Sequence, residues 1–427
     1  MMTPFRNLLI LATFAGLTAC ASTDPLREAA SAPSDEPIVL MIGVDGLTAD
    51  ALDLFEAPNM QALANRGIRP EGMIPVMPSV TFTNFYSIAT GLYPEDHGMI
   101  NNAPFDRELN EGFVNPMSAQ DSRWWAGEPI WITAERQGLP TSIMFWLGSE
   151  VEFAGDRPTR WTPYEHNKPY EERVEEVLAW FDGPQEERPR FAAVYFDLVD
   201  TIGHRTGANT PEVGEAVATV DRHIGNLVAG LEARGLLERT NIIIVSDHGM
   251  ATNPEDQVIH FDQWIDLDTV YIPEIEGRGG NGFRPFLNVY GEPDAIDAAH
   301  QALQGAHPHM RAWKRGEMPD HFRFDHPTRG PDLFVLADPG WTMSARDLPL
   351  GSPWRSMGVH GHDSIDPLMH AGFVAAGPAF PEGTRPGLFE NINVYLLIAC
   401  ILDLEPADTA GDPAVVSALT DGRCELE

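Results

Sequence analysis

Three aspartates stand in the same place relative to three apolar runs. Asp45 follows Ile38–Val44, Asp200 follows Phe191–Leu198, and Asp247 follows Ile242–Val245, each within two residues. Two of them carry a nearby histidine, as Asp200-Thr-Ile-Gly-His204 and Asp247-His248. A further histidine, His360, lies in Gly358-Val-His-Gly-His-Asp363, between glycines that let backbone approach a ligand. A hard carboxylate paired with a neutral imidazole suits a divalent cation such as zinc. One such pair is weak evidence, because 14 histidines in 427 residues produce chance spacings and a structural hydrogen bond is the commoner explanation. Asp200 and His204 face the same way if helical, or converge if Gly203 makes a turn. Thr81, in Pro78-Ser-Val-Thr-Phe-Thr-Asn84, is a poor nucleophile while its hydroxyl stays protonated; coordination by a cation removes that obstacle. The competing reading is a threonine that caps the helix running through Tyr86 to Thr90.

These residues need a frame. The three apolar runs are continuous rather than alternating, as expected of strands buried on both faces of a parallel sheet. Helical segments separate them. The clearest is expected over Pro211–Arg234, with Thr210 as N-cap, Pro211 in the first turn, Gly235 as stop, and Val213, Val217, Val220, Ile224, Leu227, Val228 and Leu231 on one face. Strands alternating with helices mean an α/β domain, and ligands of open α/β sheets bind beyond the carboxyl ends of the strands. From 268 to 330 the texture turns to Gly, Pro, His and charged residues, which predicts an inserted α+β cap subdomain; the apolar pattern returns at Leu333–Leu336, and a last helix is expected from Asn393 to Leu402. The expected organisation is a catalytic core over 37–267 and 331–427 with the cap between. A length of 427 residues with 43% hydrophobic content supports a sizeable core, and 63 acidic against 28 basic residues give a formal charge of −35. That surface disfavours a nucleic-acid polymer as partner, so any positive field for an anion must be made locally, a metal being the obvious source.

Six separated blocks, in order, closely resemble the nucleotide pyrophosphatase/phosphodiesterase family of the alkaline phosphatase superfamily. They are Val44-Asp-Gly-Leu47, Pro78 to Asn102, Asp200-Thr-Ile-Gly-His204, Ser246-Asp-His-Gly-Met250, His360-Gly-His-Asp363 and Met369-His-Ala371. The resemblance runs from about Pro37 to Pro406. It implies an alkaline phosphatase-like three-layer α/β core around a mostly parallel sheet, and two zinc ions. Asp200, His204 and His360 would hold one zinc; Asp45, Asp247 and His248 would hold the other, with Thr81 beside it as nucleophile and ligand. Asn102 and the backbone N–H after Thr81 would bind a phosphate oxygen. Phe82 and Tyr195 match aromatic positions that sandwich a nucleobase, with core packing as the competing reading. The implied activity is hydrolysis of a small anionic phosphodiester or nucleotide through a phosphothreonine. A phosphomonoesterase, a glycerophosphodiester or lysophospholipid diesterase, and a noncatalytic lipoprotein on the same scaffold are the alternatives. Ser79 and Val80 depart from the residues common beside the family's nucleophile. His362 replaces a common tyrosine and is read as a supporting group or pocket base rather than a ligand. No Lys or Arg lies within ten residues of Thr81, which favours diesters over the more highly charged monoesters.

Residues 1–19 read as an export signal: Arg6, then a short apolar stretch too short to span a bilayer. Leu17-Thr-Ala-Cys20 resembles the lipobox of bacterial lipoproteins, and 20–36 reads as a flexible tether. The expectation is a lipidated Cys20 as the sole membrane contact, at the periplasmic face of the outer membrane or the cell surface. Export permits a disulfide between Cys400 and Cys424, although a buried Cys400 with a free Cys424 fits equally. Replacing Cys20 by Ala is expected to leave an unprocessed precursor, visible as a mass shift; normal processing of that variant would contradict the lipobox.

Overall fold

A computed structural model describes residues 36–273, 283–345 and 355–425. The signal segment, Cys20, the tether up to residue 35 and the glycine-rich run at 276–282 lie outside the described residues. Seven strands form the central sheet, in the spatial order Gly67–Ile68, Phe373–Ala376, Thr240–Val245, Ile38–Val44, Phe191–Phe196, Thr141–Met144 and Arg160–Thr162. The five from Thr240–Val245 to Arg160–Thr162 are mutually parallel, and Phe373–Ala376 is antiparallel to both its neighbours.

All seven residues of the Ile38–Val44 strand are buried, because both faces of the sheet are covered. Val39 and Met41 point into one core, formed with the helices Thr81–Thr90, Ile130–Arg136 and Asn393–Ile401; Ile38, Leu40, Ile42 and Val44 point into the other, formed with Pro58–Arg66, Tyr170–Ala179 and Pro211–Ala233. The result is three layers. Val44 stands opposite Phe196 and Gly43 opposite Val245. That register brings three strand ends level, so the three aspartates leave the sheet at one edge.

The long helix starts where expected: Thr210 caps it by accepting from the Val213 amide at 3.4 Å. It ends at Ala233, one residue early, with Arg234 as its cap. A second sheet pairs Val270–Tyr271, Phe286–Gly291, Leu333–Ala337 and Met310–Lys314, with the helix Pro293–Leu303 alongside. This corrects the expected boundary at 331. Leu333–Ala337 does not return to the core sheet but is bonded on both sides by cap strands. Its apolar run reflects burial on two faces, Leu333 and Val335 in one cluster and Phe334 and Leu336 in another. Such a run marks a doubly covered strand without saying which sheet covers it. Residues 37–427 form one compact unit, so the cap is a lobe rather than a separate body. Cys400 and Cys424, left open by the sequence, are joined in a disulfide that ties the C-terminal tail to the last core helix. Among the described residues no helix is long and apolar enough to cross a membrane.

One buried carboxylate fastens two helices. Asp221, in the long helix, accepts from the Asn59 and Met60 amides at 3.1 and 2.8 Å and so caps the helix Pro58–Arg66 from across the core. Asp221→Ala leaves those amides unpaired, and is expected to cost about 1–3 kcal/mol in denaturant unfolding while leaving the remote site competent.

Candidate functional site

Asp200 and His204 both lie on the helix Leu198–Thr206, so the helical alternative holds and their side chains share a face, with Asp200 Oδ1 at 3.4 Å from His204 Nε2. His204 Nδ1 donates to the Gly358 carbonyl at 2.7 Å. That contact needs a glycine, because a Cβ at Gly358 would sit 2.3 Å from the Gly203 carbonyl oxygen. Asp45 is followed by Gly46 at φ +68°, where a Cβ would meet the Asp200 backbone at 2.9 Å. The Gly46 amide, freed by that turn, donates to Asp247 Oδ1 at 3.1 Å. Loop tips from three strands are thus stitched together by backbone.

The six candidate ligands converge. One triplet, Asp45, Asp247 and His248, and another, Asp200, His248 and His360, each have ligand-type atoms within 4.8 Å of one another. His204 joins the second, its Nε2 at 3.2 Å from His360 Nε2. His248 stands between the groups, its ring stacked on His360 at 3.5 Å.

Each imidazole is turned the same way. Nδ1 of His204, His248 and His360 meets the carbonyl of Gly358, Gly249 and Ser79 respectively. A carbonyl only accepts, so Nδ1 carries the proton and Nε2 offers its lone pair to the cluster. The buried oxygens Asp45 Oδ1, Asp200 Oδ1 and Asp247 Oδ2 meet no donor other than the imidazole Nε2 atoms of the cluster, with His248 Nε2 at 2.9 Å from Asp247 Oδ2. Three orphaned carboxylate oxygens facing three imidazole lone pairs repel one another unless a cation lies among them. This donor set of carboxylates and imidazoles therefore fits divalent metal ions.

Protons are the other possible counter-charge. Burial, then Asp247 and Asp200, raise the Asp45 carboxyl well above its ordinary value. Burial also raises Asp200. Burial works against a charged His248, but Asp247 and Asp200 outweigh it and hold the imidazole above its usual value. Burial, then the neighbouring His248 and His204, push His360 well down.

Thr81 is the first residue of the helix Thr81–Thr90 and Val80 is its cap, so the threonine hydroxyl is not spent on capping. Its Oγ1 lies 3.4 Å from His248 Nε2, at the positive end of the helix dipole. The Phe82 amide donates to Asn102 Oδ1 at 2.8 Å. The two groups expected to bind a phosphate oxygen are therefore bonded to each other, and Asn102 Nδ2 is the donor left for a ligand.

A cavity of about 290 Å³ opens from Thr81, Asp45 and Asp200, walled by Phe82, Trp125, Phe145, Trp146, Tyr164 and Tyr195. No Lys or Arg is among its described lining residues. Phe82 lines it with its ring edge against Phe113 at 5.9 Å. Tyr195 also lines it, its ring packs on Phe85 as the core reading expected, and its hydroxyl has an unexpected role, donating to Asp45 Oδ2 and orienting that candidate ligand. Tyr164, which sequence reasoning missed, stands at this cavity 43% exposed. Only an aromatic residue in the polar stretch Thr162-Pro-Tyr-Glu-His166 hints at it. His362 stays out of the cluster: its Nδ1 donates to the Ala337 carbonyl, and burial pushes its pKa down to about 4. His97 is structural, held by Ser87 and Met99, with burial pushing its pKa down to about 3.

A raised folded-state carboxyl stabilises the fold below the unfolded value, about 3.9, and that contribution is lost as pH rises through the folded value. In chelator at pH 7, Asp45→Asn is therefore expected to melt above the parent protein, the gap closing toward pH 4. Added zinc should reverse the order, since a ligand at a hundred times its Kd contributes about 2.7 kcal/mol. A chelated parent protein that melts higher than Asp45→Asn at pH 7 would contradict this electrostatic account.

The profile of the type I phosphodiesterase / nucleotide pyrophosphatase family matches residues 39–363. An uncharacterized pyrophosphatase/phosphodiesterase of Schizosaccharomyces pombe is 34% identical over 373 residues, covering 86% of this chain and 77% of its own length. Ectonucleotide pyrophosphatase/phosphodiesterase family member 3 of Rattus norvegicus is 32% identical over 88% of this chain, which spans 43% of that longer protein. The solved structure of murine ectonucleotide pyrophosphatase/phosphodiesterase 5, an inactive form in complex with AMP, superposes with a TM-score of 0.83 at 28% identity, over 90% of this chain and all of that one. With an alkaline phosphatase-like sheet and a carboxylate–imidazole cluster at its edge, the chain belongs to the type I phosphodiesterase / nucleotide pyrophosphatase family of hydrolases.

Proposed function

We propose that the protein hydrolyses small phosphodiesters or nucleotide phosphoanhydrides by double displacement at Thr81, with two zinc ions as cofactors. The observation that carries this reading is the set of three orphaned carboxylate oxygens and three Nε2 lone pairs beside a threonine hydroxyl. Asp200, His204 and His360 would hold one ion, and Asp45, Asp247 and His248 the other, within reach of Thr81 Oγ1. When bound, zinc supplies Lewis-acid charge that makes a hydroxyl a better nucleophile and an alkoxide a better leaving group.

The chain's own residues do the rest. Thr81 gives up its hydroxyl proton to solvent and its Oγ1 attacks phosphorus opposite the leaving oxygen; the bond to Thr81 forms as the bond to the leaving group breaks, and that group departs with the bonding pair, an alkoxide taking a proton from water to become the alcohol. Asn102 Nδ2, held in place through the Phe82 amide, donates to a non-bridging oxygen. The phosphoryl group on Thr81 then sits at a helix N-terminus, which favours negative charge. Water enters from the side the leaving group vacated, the Thr81–phosphorus bond breaks, and a phosphate monoester leaves. Phe82, Tyr164 and Tyr195 offer rings to an aromatic substituent such as a nucleobase.

Charge favours a diester. Three carboxylates and two divalent ions sum to +1, which a phosphodiester monoanion neutralises and a monoester dianion exceeds. The lining of the cavity has no Lys or Arg among the described residues to take up that excess. The same reading puts the enzyme outside the cytoplasm, anchored by a lipidated Cys20 at the outer membrane. The Cys400–Cys424 disulfide agrees with an oxidising compartment.

Thr81→Ala is expected to abolish turnover of bis(p-nitrophenyl) phosphate while zinc content stays that of the parent protein; retained turnover would remove the nucleophile assignment. Asn102→Ala should lower kcat by about 10²–10³-fold. Two in-line displacements invert phosphorus twice, so a chiral phosphorothioate diester hydrolysed in heavy-oxygen water should give a product of net retained configuration, and net inversion would mean direct attack by water.

A further inference from the structure

Ser79 is fully buried, two residues before the candidate nucleophile, and both its carbonyl and its hydroxyl are spent on one distant loop. Its carbonyl accepts from His360 Nδ1 at 2.9 Å. Its hydroxyl accepts from the Gly361 amide at 3.2 Å and donates to the His362 carbonyl at 2.7 Å. One short segment therefore carries both Thr81 and the clasp that orients His360, some 281 residues away in the chain. From the other side, Asn84 donates to the Pro78 and Val80 carbonyls and accepts from the Val76 amide, so the segment that Ser79 belongs to is itself rigidly held.

We infer that Ser79 is a positioning residue that sets the distance between the nucleophile and the metal ligand His360, and so couples metal retention at His360 to the reactivity of Thr81. The inference rests on the two-zinc reading above. The carbonyl bond alone fixes the tautomer of His360. The hydroxyl fixes where the 360–362 backbone lies, because it bonds the peptide N–H that opens Gly361 and the carbonyl that closes His362. Without it, the Gly361 amide and the His362 carbonyl lose a buried partner, and relaxation of that loop carries His360 Nε2 away from the cluster. Supporting groups that orient a ligating histidine are commonly worth 10–100-fold in metal affinity or activity. Threonine keeps the hydroxyl, so Ser79→Thr should keep the clasp.

The test uses the zinc-loaded full-length protein. Zinc release is followed with a colorimetric indicator as chelator is titrated in, alongside kcat and KM for bis(p-nitrophenyl) phosphate. Ser79→Ala should release one zinc at a free-zinc level about 10–100-fold higher than the parent protein, with kcat reduced, KM little changed, and the chelator titration restored in Ser79→Thr. Val217→Ala, which loosens the core on the opposite face of the sheet, serves as the control for general destabilisation and should release zinc as the parent does. A Ser79→Ala protein that holds zinc as tightly as the parent, or a Val217→Ala protein that releases it as readily as Ser79→Ala, would overturn the inference. A parent protein that takes up no zinc is a different result: it would contradict the two-zinc reading and remove this inference with it.

Discussion

Repulsion that the chain cannot relieve by itself governs this molecule. Three carboxylates and three imidazole lone pairs are held together at the edge of the sheet, relieved only in part by the Tyr195 hydroxyl on Asp45 and the Gly46 amide on Asp247. The imidazole N–H groups bond backbone carbonyls, and no Lys or Arg lines the adjoining cavity among the described residues. Protons or metal ions are what remain. Burial and the neighbouring carboxylates raise Asp45, Asp247 and Asp200 hold His248 up against its burial, and burial beside His248 and His204 pushes His360 down. A chain with a formal charge of −35 offers no diffuse positive field that could substitute.

Holding such a cluster closed takes a rigid support, and the sheet supplies it. Parallel neighbours in level register bring the ends of Ile38–Val44, Phe191–Phe196 and Thr240–Val245 side by side, and two apolar cores clamp them from both faces. The loops beyond are joined by a backbone bond from the Asp200 amide to the Asp45 carbonyl at 3.1 Å and by the Gly46 amide donating to the Asp247 carboxylate. The cost of crowding like charges is thus offset by burial elsewhere.

Much of this was legible in the residues because the relevant patterns are local. Strands covered on both faces read as unbroken apolar runs, so the aspartates after them share one topological place. Asp200 and His204 are one helical turn apart, and Thr210, Pro211 and Gly235 bracket the long helix. What was not legible depends on contacts between distant segments. Leu333–Ala337 looks like a core strand because its burial matches one, yet its partners are cap strands. Whether Tyr195 would meet a base or the core could not reveal that its hydroxyl reaches Asp45. Tyr164 belongs to a loop whose course no periodicity encodes. The orientation of His360 is set by Ser79, and nothing local to either residue announces the other. The family resemblance pointed to the candidate ligands but did not supply their hydrogen-bonded supports.

The most direct test of a dinuclear centre is anomalous X-ray diffraction from crystals grown with zinc, recorded on both sides of the zinc absorption edge. The account predicts two anomalous peaks that vanish below the edge, one against Asp200, His204 and His360 and one against Asp45, Asp247 and His248. A map without peaks among these six side chains, in crystals soaked with saturating zinc, would contradict it.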